Sequence, residues 1–389
     1  MLILNNLRFT QFAQRNLRFT IWVQRYNKNL EYANKSENFH KKEGKKSVRL
    51  HICKKSSTFA AEMKRNTCIF VVLGLAFCLL FGLDVCSGSI WIWPLSDSLS
   101  VMEQQILHAI RLPKAITAIL AGAALSVAGL IMQTLFRNPL AGPYTLGVSS
   151  VASLGVALLT MVSAVSIQHS AFSIQHSAFS LPIAACVGAT MVLLLVLAVS
   201  RRVTSNVSLL IVGMMFGSIA GALVSLLQNV ANPDALKLFI VWTLGSLSSV
   251  GWSDMPMLLP ILLLGTLFVL LALKPLNGLL LGEDYARGLG IHVTRTRIYI
   301  VLATGLLAGG ITAFCGPIAF IGVAVPHIAR GLFRSSNHRI TVPASALIGA
   351  CLLLVCDLLC SLAIYPLPIS TVSALFGAPV IIWIILKNK

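Results

Sequence analysis

The sequence predicts an all-α polytopic membrane protein with about ten transmembrane helices and an inverted internal repeat. Three observations carry this. Of 389 residues, 57% are hydrophobic and 11% charged, against roughly 25% charged in soluble domains. The apolar residues gather into runs of about 20, the length that crosses a bilayer. Two of these runs, ITAILAGAALSVAG (116–129) and ATGLLAGGITAFCG (303–316), resemble each other and point in opposite directions once the charges fix the topology.

The first element is polar. Residues 1–65 hold 15 Lys/Arg against 4 Asp/Glu, so most of the net charge of +18 sits there. The segment carries no nucleic-acid-binding module, and NLRFT occurs twice, at 6–10 and 16–20. Residues 1–62 are expected to be a basic, disordered extension on the cytoplasmic side. The functional chain is expected to start near Met63, ahead of Lys64, Arg65 and the first apolar run, so that 63–389 is the transmembrane domain. Mass spectrometry of the N-terminus of the purified protein tests that start.

Ten apolar spans follow, near 67–86, 111–135, 145–165, 180–200, 207–229, 256–273, 298–315, 317–333, 343–363 and 370–386. The first lacks a small-residue cleavage site and is read as a retained helix. The eighth contains Pro317 and Pro326, which predicts a kink or break. With both termini in the cytoplasm, 12 of the 15 Lys/Arg after residue 65 fall on the cytoplasmic side, as the positive-inside rule requires. They are Arg137, Arg201, Arg202, Lys274, Arg287, Arg295, Arg297, Arg330, Arg334, Arg339, Lys387 and Lys389. Only Arg111, Lys114 and Lys237 fall outside. Outer-face cations suggest an acidic partner or interfacial anchoring.

This topology gives the repeat its meaning. Thr117/Thr304, Leu120/Leu307, Ala121/Ala308, Gly122/Gly309 and Gly129/Gly316 match, on helices that run in opposite senses. Inverted repeats are a signature of transporters that alternate access. A second repeat, SIQHSAF at 166–172 and 173–179, reads as a tandem duplication in a tolerant outer loop rather than a His169/His176 metal pair.

Several chemistries are excluded. No HExxH, GxSxG or GxxxxGK[ST] occurs, so ATP-driven work needs a separate subunit. The nine cysteines include no CxxC and sit mostly in apolar runs, which argues against a metal site or disulfide framework. Gly213, Gly217 and Gly221 recur every fourth residue. Such a stripe permits close helix packing or lines a pathway, and both readings stand. Asp357 is the acid deep in a span, either an ion-coupling site or a structural hydrogen-bonding group. The segment GEDYARGLGIHVTRTR (282–297) is too polar for lipid, and the charge bias puts it in the cytoplasm.

Four stretches, RLPKAITAILAGAALSVAGLIMQTLFRNPLAGPYTLGVSS (111–150), GEDYARGLGIHV (282–293), GPIAFIGVAVPHIAR (316–330) and STVSALFGAP (370–379), resemble the FecCD-type permeases. These are membrane subunits of ABC importers for iron–siderophore complexes, haem and vitamin B12. The resemblance covers about residues 67–389. It implies a ten-helix subunit in the cytoplasmic (inner) membrane of a bacterium, paired with a second permease copy in a homodimer or pseudo-dimer. It further implies two cytoplasmic ABC ATPases that bind the ATP, and an extracytoplasmic substrate-binding protein. Carried over by position, Gly282, Glu283, Ala286, Leu289 and Gly290 belong to the element that receives the ATPase's motion. Arg111 pairs with a carboxylate of the binding protein, Asn138 to Ala141 match the NPLA motif, and Asp357 takes a structural role. Ser361 stands where the family has a second outer arginine, and Pro366 precedes Leu367-Pro368 without the usual glutamate, so one docking contact is altered. The expected cargo is a ferric siderophore, with haem or cobalamin as alternatives and an ion-coupled secondary transporter as the rival class.

Overall fold

The computed structural model describes residues 44–88, 91–93, 100–162, 180–200, 202–203, 205–363 and 367–387. The NLRFT and SIQHSAF repeats and Pro366 lie outside the described residues. Two compact units divide the chain, Met1–Cys68 and Ile69–Lys389. In the first, the described backbone is helical from Gly44 onward, as part of α1 (Gly44–Cys86). Residues 44–62 were expected to lack structure and are instead the start of that helix. A nucleated helix propagates at little cost through residues such as Lys, Ala, Glu and Met, and KKSSTFAAEMK supplies them.

The second unit is a helical bundle. After α1 come α2 (Leu112–Phe136), α3 (Val148–Ala157), α4 (Ser180–Ser200), α5 (Asn206–Val230), α6 (Pro233–Thr243), α7 (Met255–Leu279) and the short α8 (Glu283–Gly288). Then follow α9 (Val293–Cys315), α10 (Ile321–Phe333), α11 (His338–Leu362) and α12 (Ile369–Lys387). Among the described residues, seven helices are long and apolar enough to cross a membrane, and three shorter apolar ones lie at 148–161, 321–333 and 369–382. Each expected span therefore corresponds to one helix.

Boundaries moved where the local chemistry demands it. A helical lead-in, Val101–Ile106, and a π-turn, Leu107–Arg111, run into α2. Ser100 starts the lead-in: its side chain and that of Glu103 cap each other's backbone N–H groups. α7 runs six residues past its expected end at 273. The short α6 was not anticipated, although Asn232 caps it and Pro233 opens it.

α2 and α9 carry the repeated segments and are the most enclosed spans, with 78% of each apolar window buried, against 11% for α1 and 22% for α5. Their small residues explain the enclosure. A Cβ on Gly122 would overlap the Gly349 carbonyl of α11, and one on Gly129 would overlap the Gly322 carbonyl of α10. α2 thus packs on α10 and α11, while α9 packs on α4 and α7. The two helices run in opposite senses. α2 ends beside Leu279 and Asn206, where α9 begins, and α2 begins at the end where α9 finishes.

The repeat continues past the matched residues. Each enclosed helix is followed by a Gly-Pro break, Gly142-Pro143 or Gly316-Pro317, and then by a short helix. A left-handed residue precedes each short helix, Gly147 at φ 76° and Phe320 at φ 65°. The two breaks meet: the Tyr144 hydroxyl accepts from the Ile318 N–H (3.3 Å) and from Thr312 Oγ1 (3.4 Å).

The bundle has two distinct ends. Arg137, Arg202, Arg287, Arg295, Arg297, Arg334 and Arg339 gather at one, with α8. Trp91, Trp93 and Trp252 lie at the other, about half exposed, as expected of aromatic side chains at a membrane interface. The Trp252 indole N–H there donates to the His108 carbonyl (2.7 Å).

Candidate functional site

Three places hold the predicted residues. The first is the segment 280–297 at the arginine end. α7 stops at Leu279, Gly282 turns the chain at φ 126°, and α8 follows for six residues. Ala286 is fully buried, and its carbonyl accepts from the Ile291 N–H (3.0 Å). Its small side chain lets α8 lie over Gly278 of α7. Gly290, at φ 77°, closes the turn into α9. Leu289 is 56% exposed, as is Tyr285, and Leu281 is 66% exposed. Leu281 precedes the turn at Gly282, Tyr285 lies on α8 and Leu289 ends it, so exposed apolar side chains flank and punctuate this polar segment.

The other face of α8 is held by charge. Glu283 accepts from Asn206 Nδ2 and lies 3.7 Å from Arg297 and 3.5 Å from Arg287. Arg297 is itself buried and donates to the Val203 carbonyl (2.7 Å). Arg137 donates to the Leu279 carbonyl (3.1 Å), and its guanidinium lies where a Cβ on Gly282 would touch it. The five residues Gly282, Glu283, Ala286, Leu289 and Gly290 thus fall on one element with separate tasks. Two glycines turn the chain, one alanine seats the helix, one carboxylate anchors it and one leucine faces out.

The second place is a cavity of about 350 Å3 lined by Tyr144, Thr145, Gly147, Ser150, Met214, Gly217 and Ser218. It opens between the first break and α5. The glycine stripe of α5 splits here. A Cβ on Gly213 would press on the backbone of Thr145 and Leu146, and one on Gly217 would touch Gly147 and Ser150 at 3.4 Å. Gly221 faces open space. Two of the three glycines therefore serve packing, and Gly217 also lines the cavity.

The third place is the tryptophan end. Asp357 is buried and its carboxylate lies 2.9 Å from Lys114 Nζ, which also donates to Ser361 Oγ (2.8 Å). Buried Asp84 of α1 stands beside the pair. Lys114, read from sequence as an outer-face cation, thus finds its acidic partner inside its own chain. Depth held the signal, since Lys114 opens the second span and Asp357 nears the end of the ninth at the same side. Ser361, at the position where an arginine was expected, accepts from that lysine instead. Arg111 is 9% exposed and donates from Nη1 to the carbonyls of Cys86 (2.7 Å) and Val85 (3.2 Å). It satisfies the orphan carbonyls at the end of α1.

At the arginine end, α10 runs antiparallel to the segment 139–143. His327 Nε2 meets the Pro139 carbonyl (2.8 Å), and Gln133 joins Arg330 (2.8 Å) to the Val323 carbonyl (3.0 Å). The NPLA motif (138–141) is therefore a strap between α2 and α10. Asn138 Oδ1 accepts from the Leu140 N–H (2.9 Å) and shapes its turn.

Comparison with known proteins agrees with this architecture. Residues 70–387 match the model of the FecCD transport family. The chain is 36% identical over 337 residues to the vitamin B12 import system permease protein BtuC of Salmonella typhi, covering 85% of this chain and 99% of that protein. The BtuC protein of Salmonella newport (strain SL254) matches to the same degree. Among solved structures, a protein described as a metal-chelate type ABC transporter, in an inward-facing conformation, superposes with a TM-score of 0.70 at 29% identity, over 83% of this chain and 99% of that one.

Proposed function

This chain belongs to the FecCD transport family and is a multi-pass permease of the ABC-importer type; on that premise we propose that its cargo is a corrinoid of the vitamin B12 class. The observation that carries the cargo is the 36% identity to vitamin B12 permeases along 99% of their length. The ferric siderophore expected from the sequence, and haem, one of its alternatives, become further arms of the test.

The exposed apolar side chains Leu281, Tyr285 and Leu289 at α8 suit docking of a separate ATPase, since a chain without a P-loop needs its nucleotide chemistry from a partner. The arginine end then faces the cytoplasm of a bacterium across its inner membrane, as the charge bias favours, with both termini on that side. The tryptophan end, where Arg111 fixes the end of α1, receives the substrate-binding protein. A second copy of the permease completes the pathway along α5, only 22% of whose apolar window is buried within this chain. ATP binding favours one arrangement of the ATPase pair, and the nucleotide shifts the permease only through its differential affinity for the two states.

The test is uptake into proteoliposomes holding this permease, its ATPase and its binding protein. Cyanocobalamin should accumulate with ATP, and a ferric siderophore or haem should not. Accumulation of either of those in place of cyanocobalamin replaces the cargo. Uptake that needs no ATPase and collapses with the proton gradient identifies a secondary transporter instead.

A further inference from the structure

The cavity and α8 are distant in sequence, yet one side chain joins the helices that carry them. Asn206 is the first residue of α5. Its Nδ2 donates to the Leu135 carbonyl of α2 (2.8 Å) and to Glu283 of α8. Leu135 lies in the last turn of α2, where carbonyls have no partner within the helix. Glu283 gathers Asn206 and Arg297 on the same oxygen, and Arg297 reaches back to the Val203 carbonyl. The turn that enters α5 is therefore gripped on both sides by groups bound to α8.

From this grip α5 runs uninterrupted to the cavity. Met214, Gly217 and Ser218 lie 8 to 12 residues on, about 12–18 Å of helix at 1.5 Å per residue. A helix transmits such a displacement as a rigid rod, so a shift of α8 arrives at the cavity wall.

We infer that Asn206 is the positioning residue that transmits motion from α8 to the cavity wall of α5, with Glu283 and Arg297 as its grip. This rests on the reading that an ATPase docks on α8. The residue type fits the task. An amide nitrogen carries two donors and can serve two acceptors at once, a carboxylate is acceptor-only, and alanine has neither. Asparagine thus joins the fixed end of α2 to the moving carboxylate of α8.

The experiment uses the full chain with its ATPase in liposomes. Ser218→Cys is introduced at the cavity, and its labelling by a membrane-impermeant maleimide is followed at that position by mass spectrometry, with and without ATP plus vanadate. This readout needs no cargo. The Ser218→Cys chain should show a nucleotide-dependent change in labelling rate. Adding Asn206→Ala should shrink that change roughly 3- to 30-fold, with the ATPase still copurifying. Asn206→Asp sets two carboxylates against each other and should do the same. Pairing Asn206→Asp with Glu283→Gln restores a donor across the contact and should recover most of the response. A role for Asn206 confined to capping α2 predicts no such recovery.

A full response in Asn206→Ala, or a folded double variant no better than Asn206→Asp, overturns the inference. Should Asn206→Ala fail to insert, the comparison of Asn206→Asp with the double variant decides alone. Absence of ATPase binding or of any nucleotide response in the Ser218→Cys chain removes the underlying reading, and the inference with it.

Discussion

Lys114 Nζ stands 2.9 Å from Asp357 Oδ1 across the contact of α2 with α11. Removing one partner leaves a buried charge uncompensated, whereas removing both does not. Asp357→Ala should therefore destabilise the protein by about 3 kcal/mol, and Lys114→Met combined with Asp357→Leu, made with the neighbouring buried Asp84 neutralised as Asp84→Asn, should recover most of that. Thermal unfolding in detergent measures both. Equal losses in the single and combined variants would show that the pair has no internal compensation. The same pair engages one oxygen, Oδ1, of the carboxylate that an ion-coupled mechanism would use.

Gly129 and Gly322 bring α2 and α10 into backbone contact. A methyl group at either position has no room, and the helices must part. Gly129→Ala should cost about 3 kcal/mol or more and lower the yield of folded protein. Gly221→Ala, in open space, should stay within about 0.5 kcal/mol. Size-exclusion profiles and melting temperatures of the two variants should differ accordingly. A normal melting temperature for Gly129→Ala would refute the close approach.

Leu289 and Gly290 separate docking from folding. Leu289→Glu places a charge on an exposed site, so stability should change by at most about 0.5 kcal/mol while copurification with the ATPase falls. Gly290→Val forces a β-branched residue to φ 77° and should cost about 1–2 kcal/mol through backbone strain alone. Pull-down of the ATPase and melting temperature, measured on both, should therefore respond in opposite proportions.

Tyr144→Phe removes the hydroxyl shared by the two breaks. The Ile318 N–H loses its side-chain acceptor, a loss of about 1–2 kcal/mol. Hydrogen exchange at Ile318 should accelerate relative to the α9 amides. Unchanged exchange there would mean that the breaks are held by packing alone.

Much of the fold was legible because membrane helices follow from apolar run length. All ten spans appear within a few residues of their expected limits, except where turn chemistry intervenes. The first break moves the start of the third span from 145 to Val148, because Pro143 and the left-handed Gly147 interrupt it. α6 escaped notice because an 11-residue helix is too short for the span criterion. That Gly282, Glu283 and Ala286 belong to one polar segment was visible because they are nearly contiguous, while the contact each one makes was not. Asn206, Lys114 and Arg111 were not, because each acts on a partner far along the chain. Arg111 illustrates this most clearly: composition marks it as an outer cation, and only packing shows its guanidinium turned onto the end of α1.

The enclosure of α2 and α9 has a mechanical consequence. Their small residues hold neighbouring backbones in contact, which leaves no slack at the middle of one copy. On the proposed reading, a route wide enough for a large solute is bounded by surfaces that one copy turns outward, where a second copy would meet it.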